Sequence, residues 1–346
     1  MGQANILNKD EVLKKIFIKH KAKNHITANF EIRNNSHNKL IKLPIISMKN
    51  MDGPVVLLIG ANHGDETEGF ISLFKLIKNL RLEEIKGHLI IIPALNLPAL
   101  NNGNRVSMLD KIDMNRSFYN NNNNSLTFKI SNFLKESILP NVEIILDIHS
   151  GGKNRKFLEM AKYYHYKNKF LMKKSKEIAM AFGAPICLKH YEKNPHGMLD
   201  VLAVKSKKIY VSAELGGGGL ASKKSISIAD NGINNVLKFL KIIKNDLKYI
   251  SKIKKKKSKL LYFNDVSKNF ILSKTEGIFE INVNIDSKIT KDDLIGTIHF
   301  PDNPKKEPKR IISKLSGTVI GITNKSFIKK GDFLILIGVI KEKNYD

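Results

Sequence analysis

The sequence predicts an α/β fold in which a mixed, largely parallel sheet is flanked by helices and followed by a smaller C-terminal all-β sandwich domain. Three observations predict it. Apolar strands alternate with helical stretches from Val55 onward, a lysine-rich run interrupts this alternation after residue 252, and the rest of the chain holds only short strand patterns. Strands that alternate with helices favour parallel pairing. We therefore predict an α/β domain over residues 1–252, which begins with N-terminal strands in 1–50, and a β domain over 258–346.

The elements of the α/β domain follow from local patterns. An alternating segment such as 26–32 predicts an edge strand, whereas a short continuous apolar run predicts a buried strand. Helices are predicted where apolar residues recur at helical spacing, and Ser125 is suited to cap one of them because its hydroxyl can accept a backbone N–H. The buried strands are predicted at 55–59, 88–92, 142–148 and 209–213, and the helices at 69–80, 125–139, 169–182 and 227–250.

The β domain contains two similar halves. Segment 273–279 resembles 313–319, and segment 289–294 resembles 328–333; each half has a glycine that opens a strand and a turn with lysine and aspartate. Two such halves predict a small pseudo-symmetric sandwich, similar to that of biotinyl and lipoyl domains. The cofactor-carrying lysine of those domains has no counterpart at a hairpin tip, so we expect no swinging cofactor.

Composition narrows the class of protein. Hydrophobic residues make up 42% and charged residues 26% of the 346 residues, as in ordinary soluble globular proteins. No apolar run approaches the roughly 20 residues of a membrane span, and residues 1–15 lack the apolar core of a signal peptide. We therefore expect a cytoplasmic protein with no membrane partner. Cys187 is the single cysteine, which excludes an intrachain disulfide and a thiolate metal cluster.

The net charge of +27 comes mostly from lysine, since only six of the 59 basic residues are arginines. The lysines are spread over most of the chain and are not interleaved with aromatic residues that could stack on bases, so we expect no nucleic-acid partner. An AT-rich genome accounts for the abundance of lysine, asparagine and isoleucine. Steering of an anionic substrate and weak polyanion binding stay open as alternatives.

His63 and Glu66 form the most informative motif. They follow a predicted strand and are separated by two residues, so an imidazole and a carboxylate can reach one metal ion. His149 ends another predicted strand, and ligand sites of open α/β sheets collect at the carboxyl ends of strands. Zinc accepts this donor set and keeps a fourth position for water. Each histidine alone also fits a hydrogen-bonded strand end, but together the three residues predict one zinc ion per chain.

Two further segments supply polar groups suited to catalysis. Glu214 ends a predicted strand just before four glycines, where a carboxylate can act as a base on water; a structural salt bridge is the alternative. Arg105 and Arg116 lie in the segment 101–118, although arginine is scarce in this chain. One guanidinium can hold a substrate carboxylate through two hydrogen bonds, and the other can stabilise charge on a carbonyl oxygen. Interdomain salt bridges are the alternative.

The order of these motifs resembles that of the succinylglutamate desuccinylase/aspartoacylase family, which is related to the zinc carboxypeptidases. The resemblance covers residues from about 50 to 220 by motif, and the β-rich tail also matches the family. Within the family, the segments 93–99, 115–118, 147–152 and 213–219 look most like the N-acetyl-diaminobutyrate deacetylases of ectoine degradation. The family motifs are His63-x-x-Glu66, Asp113-x-Asn115-Arg116, Asp147-x-His149 and Glu214.

The resemblance implies a zinc carboxypeptidase-like catalytic domain over residues 1–252. His63, Glu66 and His149 would hold zinc in it. Asp113 falls where the related carboxypeptidases place a carboxylate that orients a ligand histidine.

The resemblance also implies roles in the reaction. Glu214 would activate water and return its proton to the leaving amine, and Arg105 would support the carbonyl oxygen of the tetrahedral intermediate. Asn115 and Arg116 would bind the α-carboxylate of the substrate. In aspartoacylases a tyrosine of the C-terminal domain reaches the substrate; no residue here matches it by motif, so Tyr262 is not assigned a role.

We therefore predict a zinc-dependent amidohydrolase that removes an acetyl group from an N-acetylated amino acid, N-alpha-acetyl-L-2,4-diaminobutyrate, giving acetate and the free diamino acid. The cationic γ-amine of this substrate needs an acidic or polar partner, for which Asp200 is a candidate. An alternative is the same chemistry on a dianionic substrate such as succinylglutamate or acetylaspartate, which the net charge favours. Another is a binding protein without activity, which would be free to lose Glu214 or a metal ligand. Assembly as a homo-oligomer is left open.

Overall fold

The computed structural model describes residues 6–7, 9–18, 24–34, 39–119, 125–190, 197–250, 258–263 and 266–340. The strands are β1 (Ile6–Leu7), β2 (Asn24–Asn34), β3 (Lys39–Asn50), β4 (Val55–Gly60), β5 (Gly87–Ile92), β6 (Ile144–His149), β7 (Arg155–Phe157), β8 (Met160–Tyr164), β9 (Ile186–His190), β10 (Ile209–Glu214), β11 (Lys259–Tyr262), β12 (Phe270–Leu272), β13 (Gly277–Ile281), β14 (Lys288–Ile289), β15 (Leu294–His299), β16 (Lys309–Ile312), β17 (Gly317–Thr323), β18 (Phe327–Ile328) and β19 (Phe333–Gly338).

The helices are α1 (Lys9–Leu13), α2 (Thr67–Asn79), α3 (Leu97–Asn101), α4 (Leu126–Phe133), α5 (Lys169–Phe182), α6 (Leu199–Lys205), α7 (Lys223–Phe239) and α8 (Val266–Asn269). Short 3₁₀ turns lie at Leu82–Glu84, Met114–Arg116 and Leu139–Asn141, and π-helical turns at Lys14–Ile18 and Leu134–Ile138. Within the described ranges, none of the helices has the length and apolar character needed to cross a membrane.

The large sheet is mixed and mostly parallel. Among the described residues it contains ten strands in the order β1-β2-β3-β5-β4-β6-β10-β8-β9-β11. Six of its nine neighbouring pairs are parallel, and the other three are antiparallel. The predicted fold class is therefore confirmed. Because β4, β6 and β10 are parallel neighbours, their carboxyl ends lie side by side at one edge of the sheet.

Helices cover both faces of this sheet, because alternate residues of each strand point to opposite sides. On one face, Val56 and Leu58 of β4 belong to a buried cluster with residues of α2, α5 and α7. On the other face, Leu57 and Ile59 pack in a second cluster with residues of α1, α4 and α6. All four of these strand residues are fully buried. The central strands are thus clamped between two apolar layers, which fixes the position of their ends.

Most of the elements predicted for this part are present, with ends shifted by a few residues. Ser125 caps α4 as expected, since its Oγ accepts a hydrogen bond from the N–H of Phe128 at 3.4 Å. The helix predicted over 227–250 is wrong at both ends. It begins at Lys223, because the Oγ of Ser222 accepts an N–H of the first turn at 3.0 Å.

The C-terminal end of α7 is set by a turn that its sequence pattern did not indicate. Lys241 adopts a left-handed φ of 59°. The N–H of Ile242 then turns back and donates to the carbonyl oxygen of Leu237 at 2.8 Å, which satisfies an end carbonyl of the helix. The apolar residues beyond it therefore continue the core packing outside a helix.

The C-terminal strands form two packed antiparallel sheets, β12-β19-β17-β14 and β16-β15-β13-β18, with an apolar cluster between them. The predicted half-repeats recur as matched turns. In each half a serine Oγ accepts the N–H two residues later, and an aspartate carboxylate accepts the N–H three residues earlier. The pairs are Ser273 with Thr275 at 3.3 Å, Ser313 with Leu315 at 3.4 Å, Asp293 with Thr290 at 2.7 Å and Asp332 with Lys329 at 2.8 Å.

Two strands cross between the two parts of the chain. β11 pairs with β9 in the large sheet, and β7 pairs with β17 in the C-terminal sheet. An apolar cluster fills the junction and includes Phe157, Met160, Leu188, Leu261, Ile320, Phe333 and Leu336. Residues 253–257 of the lysine-rich run lie outside the described residues. The domain limits at 252 and 258 stay a prediction.

Close packing between α5 and α7 gives a test of the core. A β-carbon added to Gly232 would lie 2.3 Å from Cζ of Phe182. We expect Gly232→Ala to lower the free energy of unfolding by about 1–3 kcal/mol, although alanine is the better helix former in open helices. Urea unfolding measures this change. Lys223→Ala, at an exposed position of the same helix, should change it by less than about 0.5 kcal/mol; equal effects would contradict the packing.

Candidate metal centre and active site

The loop that follows β4 carries His63 and Glu66. Two backbone hydrogen bonds, of 3.0 and 2.9 Å, attach the start of this loop to the segment that follows β5. Gly64 lies against the backbone of Ala99, where an added β-carbon would be 2.1 Å from the carbonyl carbon, so only glycine fits. The loop is therefore held rigidly, and it places both predicted ligands, each 3% exposed, at the carboxyl end of the sheet.

His149 reaches the same point from the neighbouring strand. It is the last residue of β6, which runs parallel to β4. Its ring centroid lies 5.2 Å from that of His63. The potential ligand atoms of His63, Glu66 and His149 all lie within 4.8 Å of one another. The structure thus brings the three predicted ligands together in one buried group.

The carboxylate of Glu66 lies between the two imidazoles. Its Oε1 is 2.7 Å from Nδ1 of His63, and its Oε2 is 2.8 Å from Nδ1 of His149. Burial alone would raise the pKa of Glu66, but the two imidazoles outweigh it and hold this pKa well below its ordinary value. Burial also opposes the charged form of His149, yet Asp147 and Glu66 raise its pKa well above the ordinary value. The carboxylates around the two imidazoles therefore stabilise positive charge at the centre of this group.

Two further carboxylates hold the outer nitrogens of the rings. Asp113 Oδ1 lies 3.2 Å from Nε2 of His63, and Asp147 Oδ2 lies 2.9 Å from Nε2 of His149. A neutral imidazole has one N–H, so with a metal ion bound each ring would donate from Nε2 to its outer carboxylate and turn the lone pair of Nδ1 toward that ion. Two nitrogen lone pairs and a carboxylate then converge, and outer carboxylates of this kind orient zinc ligands. The residues present therefore fit a zinc ion.

Glu214 lies next to this group. It is the last residue of β10, and its backbone pairs in register with His149. Its Oε1 accepts a hydrogen bond from Nζ of Lys162 at 3.0 Å, and both side chains are largely buried. Glu214 thus forms a salt bridge and also lines the cavity beside the predicted ligands. We predicted neither Lys162 nor the strand β8 that carries it, because one lysine in a lysine-rich chain gives no signal.

Arg105 lies beside two carboxylates of the site. Its Nε and Nη2 are 3.2 and 3.1 Å from Oδ2 of Asp113, and its Nη1 donates to Oε1 of Glu66 at 3.3 Å. Burial opposes ionisation of Asp113, but His63 and Arg105 hold the pKa of this carboxyl well below its usual range. About one third of the Arg105 side chain stays exposed. Its guanidinium is therefore fixed next to the predicted ligands while still open to the cavity.

Asn115 and Arg116 belong to the 3₁₀ turn Met114–Arg116. Asp113 caps this turn by accepting the N–H of Asn115 at 2.9 Å. The Oδ1 of Asn115 accepts the N–H of Leu199, the first residue of α6, at 2.9 Å, so its NH₂ group is the part that can donate to a ligand. Arg116 donates from Nη1 to the carbonyl oxygen of Asn115 at 2.7 Å. Both side chains line the cavity.

A cavity of about 180 Å³ lies over these groups. Asp200 is on its wall, 7% exposed, with Oδ2 3.8 Å from Nε2 of His190. Burial, with the nearby charge of Lys162, lowers the pKa of His190 to about 3, so this imidazole is neutral at pH 7. The wall residues that we did not predict include Arg155, Lys162, His190, Phe263, Phe270 and Leu336.

The C-terminal part contributes to the wall through Phe263, Phe270 and Leu336. Tyr262, to which no role was assigned, is not among the described residues that line the cavity, although it is next to Phe263. One feature of the sequence could have indicated Arg155 as a site residue. Arginine is scarce in this chain, and three of its arginines line this cavity. No feature of the sequence indicated the apolar wall residues, because their patterns are those of ordinary core strands.

A largely parallel sheet with a buried His–Glu–His group at its strand ends, an adjacent carboxylate and nearby arginines defines a protein of the zinc carboxypeptidase-like class. The chain belongs to the succinylglutamate desuccinylase/aspartoacylase family, since the model of that family's catalytic domain matches residues 52–240.

Similar proteins agree with this assignment. An N-alpha-acetyl-L-2,4-diaminobutyric acid deacetylase of Halomonas elongata is 29% identical over 302 residues, which is 87% of each chain. The product-bound structure of the ectoine utilization protein EutE (DoeB) of Ruegeria pomeroyi has a TM-score of 0.83 at 30% identity, and the match covers 92% of this chain and 95% of that one. A succinylglutamate desuccinylase of Silicibacter sp. TM1040 has the same TM-score and identity, with 93% and 96% covered.

Asp147 provides a test of the metal centre. Its buried carboxylate accepts hydrogen bonds from Tyr210 at 2.7 Å and from Asn62 at 3.2 Å while it holds His149. We expect Asp147→Asn to weaken zinc binding about 10- to 100-fold, because an amide orients the imidazole less well than a carboxylate. Competition with a chelator measures the affinity. Asp110→Asn, at a carboxylate that instead accepts the N–H of Thr127, should keep the wild-type affinity.

Proposed function

We propose that this chain is a zinc-dependent hydrolase that removes the acetyl group from N-alpha-acetyl-L-2,4-diaminobutyrate, as in ectoine degradation. The observation that carries the proposal is the convergence of the His63–Glu66–His149 group and Glu214 on one cavity. The names of the relatives from Halomonas and Ruegeria support the choice of substrate. We also propose a cytoplasmic location and a small N-acyl amino acid as the ligand, with no nucleic-acid or membrane partner.

His63, Glu66 and His149 would hold the zinc ion. When bound, zinc would act as a Lewis acid toward the substrate carbonyl and lower the pKa of a bound water. Glu214 accepts the proton of the attacking water and returns it to the leaving nitrogen, which must be protonated to depart as an amine. Lys162 keeps the carboxylate of Glu214 in place through its hydrogen bond of 3.0 Å.

Arg105 and the 3₁₀ turn orient the substrate. The guanidinium of Arg105 donates to the carbonyl oxygen as negative charge develops there, and its contacts with Asp113 and Glu66 keep it from reorganising. Asn115 and Arg116 bind the α-carboxylate. Their backbone turn is capped by Asp113, which also holds His63. The carboxylate of the substrate is therefore bound at a fixed distance from the reacting amide.

Asp200 supports a substrate with a cationic side chain. Its carboxylate is on the cavity wall, and the neighbouring His190 is neutral at pH 7 and so adds no positive charge there. A buried carboxylate that meets an ammonium group without competing water gives a strong charge-assisted hydrogen bond. The γ-amine of a diaminobutyrate fits this requirement, whereas a second substrate carboxylate would be repelled.

A dianionic N-acyl amino acid is the second candidate substrate. The observation that favours it is the number of cations on the cavity wall, where Arg105, Arg116, Arg155 and Lys162 all lie. Two of them are already engaged by protein carboxylates, Arg105 by Asp113 and Lys162 by Glu214. Arg116 and Arg155 remain, and two guanidinium groups can bind a single carboxylate, so the number of cations does not require a dianionic substrate.

Substitution of the proposed base tests the mechanism. We expect Glu214→Gln to lower kcat by about 10²- to 10⁴-fold, because an amide accepts no proton from water. Zinc content should stay at one ion per chain, since the ligands are intact. Glu177→Gln, at a partly exposed glutamate on α5 that pairs with surface lysines, is the matched control and should keep full activity. Wild-type turnover by the Glu214 variant would refute the assignment of the base.

A substrate panel tests the specificity. We expect N-alpha-acetyl-L-2,4-diaminobutyrate to be hydrolysed faster than N-acetyl-L-aspartate or N-succinyl-L-glutamate at equal concentration. Asp200→Asn should raise KM about 10-fold or more for the diamino substrate, and leave it unchanged for N-acetyl-L-2-aminobutyrate, which lacks the γ-amine. Fast turnover of succinylglutamate with an inert acetyl-diaminobutyrate would overturn the choice of substrate in favour of the second candidate.

A further inference from the structure

Arg155 is a cation of the cavity wall to which the reaction described above gives no role. It is the first residue of β7 and is half-buried. It differs from Arg105, whose guanidinium contacts Asp113 and Glu66. Within the described residues, no carboxylate lies within ion-pair distance of Arg155 or of Arg116. Two guanidinium groups of the wall therefore have no direct ion pair with a carboxylate of the described residues.

The backbone of Arg155 is held by Gly151 and by the glycine run 216–219, which follows Glu214. Its N–H donates to the carbonyl oxygen of Gly151 at 3.1 Å, and its own carbonyl oxygen accepts the N–H of Gly218 at 2.8 Å. Gly217 has a φ of 108°, and an added β-carbon would lie 2.4 Å from the carbonyl oxygen of Arg155. The glycines thus wrap closely around this residue and fix where its side chain begins.

The C-terminal β structure holds the other end of Arg155. Its guanidinium carbon lies 5.1 Å from the ring centroid of Phe333, the first residue of β19. Thr323 of β17 is its partner in the strand pairing of β7. A guanidinium that stacks on an aromatic face keeps its N–H groups free for a planar ligand such as a carboxylate. The C-terminal part therefore orients the guanidinium from outside the catalytic sheet.

The burial of Arg155 and the charges around it favour binding of an anion beside its guanidinium. Burial and the neighbouring charge of Arg105 lower its pKa, since both disfavour the cation. Glu214 and Glu66 act in the opposite direction but do not outweigh them. A partly desolvated cation among other cations is costly unless an anion joins it. The ligand of this site carries such an anion, the carboxylate of an amino acid.

We propose that Arg155 is a second carboxylate-binding residue of the active site, which acts with Arg116 and is oriented by Phe333 of the C-terminal β structure. This inference rests on the proposed function for the class of ligand, an N-acyl amino acid. It also assigns a role to the C-terminal part: that part supplies the surface against which a substrate-binding guanidinium is stacked.

The test compares ligands with and without the carboxylate. We expect Arg155→Met to weaken binding of L-2,4-diaminobutyrate about 10- to 100-fold in calorimetric titration of the zinc-loaded protein. Binding of 1,3-diaminopropane, the same molecule without its carboxylate, should not change. In kinetics, KM for N-alpha-acetyl-L-2,4-diaminobutyrate should rise by a similar factor, while KM for N-acetyl-1,3-diaminopropane stays constant. Arg155→Lys should give an intermediate loss, because an ammonium does not offer two parallel N–H groups.

Two further variants separate binding from structure. Phe333→Leu should show the same selective loss to a smaller extent, because it removes the stacking surface and keeps an apolar side chain. Lys156→Met, at an exposed lysine on the same strand, is the matched control and should bind both ligands normally. Equal losses for both ligands in Arg155→Met and Arg155→Lys would reveal a structural role and overturn the inference, and so would no loss at all.

The outcomes also distinguish this inference from the proposed function. N-acetyl-L-aspartate and N-succinyl-L-glutamate are titrated alongside as carboxylate ligands. If they bind in a manner that depends on Arg155 while acetyl-diaminobutyrate is not hydrolysed, the proposed substrate is wrong and Arg155 keeps its role. If the wild-type protein binds none of these amino acids, both are overturned.

Discussion

The contact on which the rest of the site depends is that of the Glu66 carboxylate with the two imidazoles on either side of it. It brings the end of β4 and the end of β6 to one point, with His63 and His149 at 2.7 and 2.8 Å from its two oxygens. Asp113 and Asp147 hold the outer ring nitrogens of these two histidines. Because Asp113 also caps the turn that carries Asn115 and Arg116, the same carboxylates that shape the metal centre position the substrate-binding residues. Metal centre and substrate site are thus one hydrogen-bonded unit.

Much of this unit could be predicted from the sequence because its residues are encoded locally. His63, Glu66 and His149 directly follow or end apolar strands, and parallel strands bring their carboxyl ends together whatever their exact order. The half-repeats of the C-terminal β strands could also be predicted from the sequence, because the paired serines and aspartates contact residues two or three positions away in the chain. The C-terminal end of α7 could not be predicted from the sequence. It depends on the left-handed conformation of Lys241, a residue that rarely signals such a turn.

The parts of the site that sequence reasoning missed depend on contacts between distant segments. Lys162 meets Glu214 only because β8 runs antiparallel beside β10, and no local pattern encodes that neighbour. Arg155 reaches the cavity because a glycine run and a strand from the end of the chain hold it. Phe263 and Phe270 have the pattern of core residues, and their exposure to the cavity is set by the docking of whole strands. Local pattern therefore predicts the chemistry of the centre better than the shape of the cavity around it.

The pairing of β7 with β17 has a consequence for biosynthesis. β7 (Arg155–Phe157) leaves the ribosome long before β17 (Gly317–Thr323) does, so this edge of the nascent chain waits for a partner that is translated much later. Contacts of such large sequence separation form late in folding, and until then β7 is an open strand edge of the kind that pairs with other chains. Assembly of the cavity wall is thereby deferred until β17 and β19 have emerged. A product that ends before β17 would contain the predicted metal ligands and Arg155 but not Phe333, on which Arg155 stacks, and its open strand edge would favour aggregation.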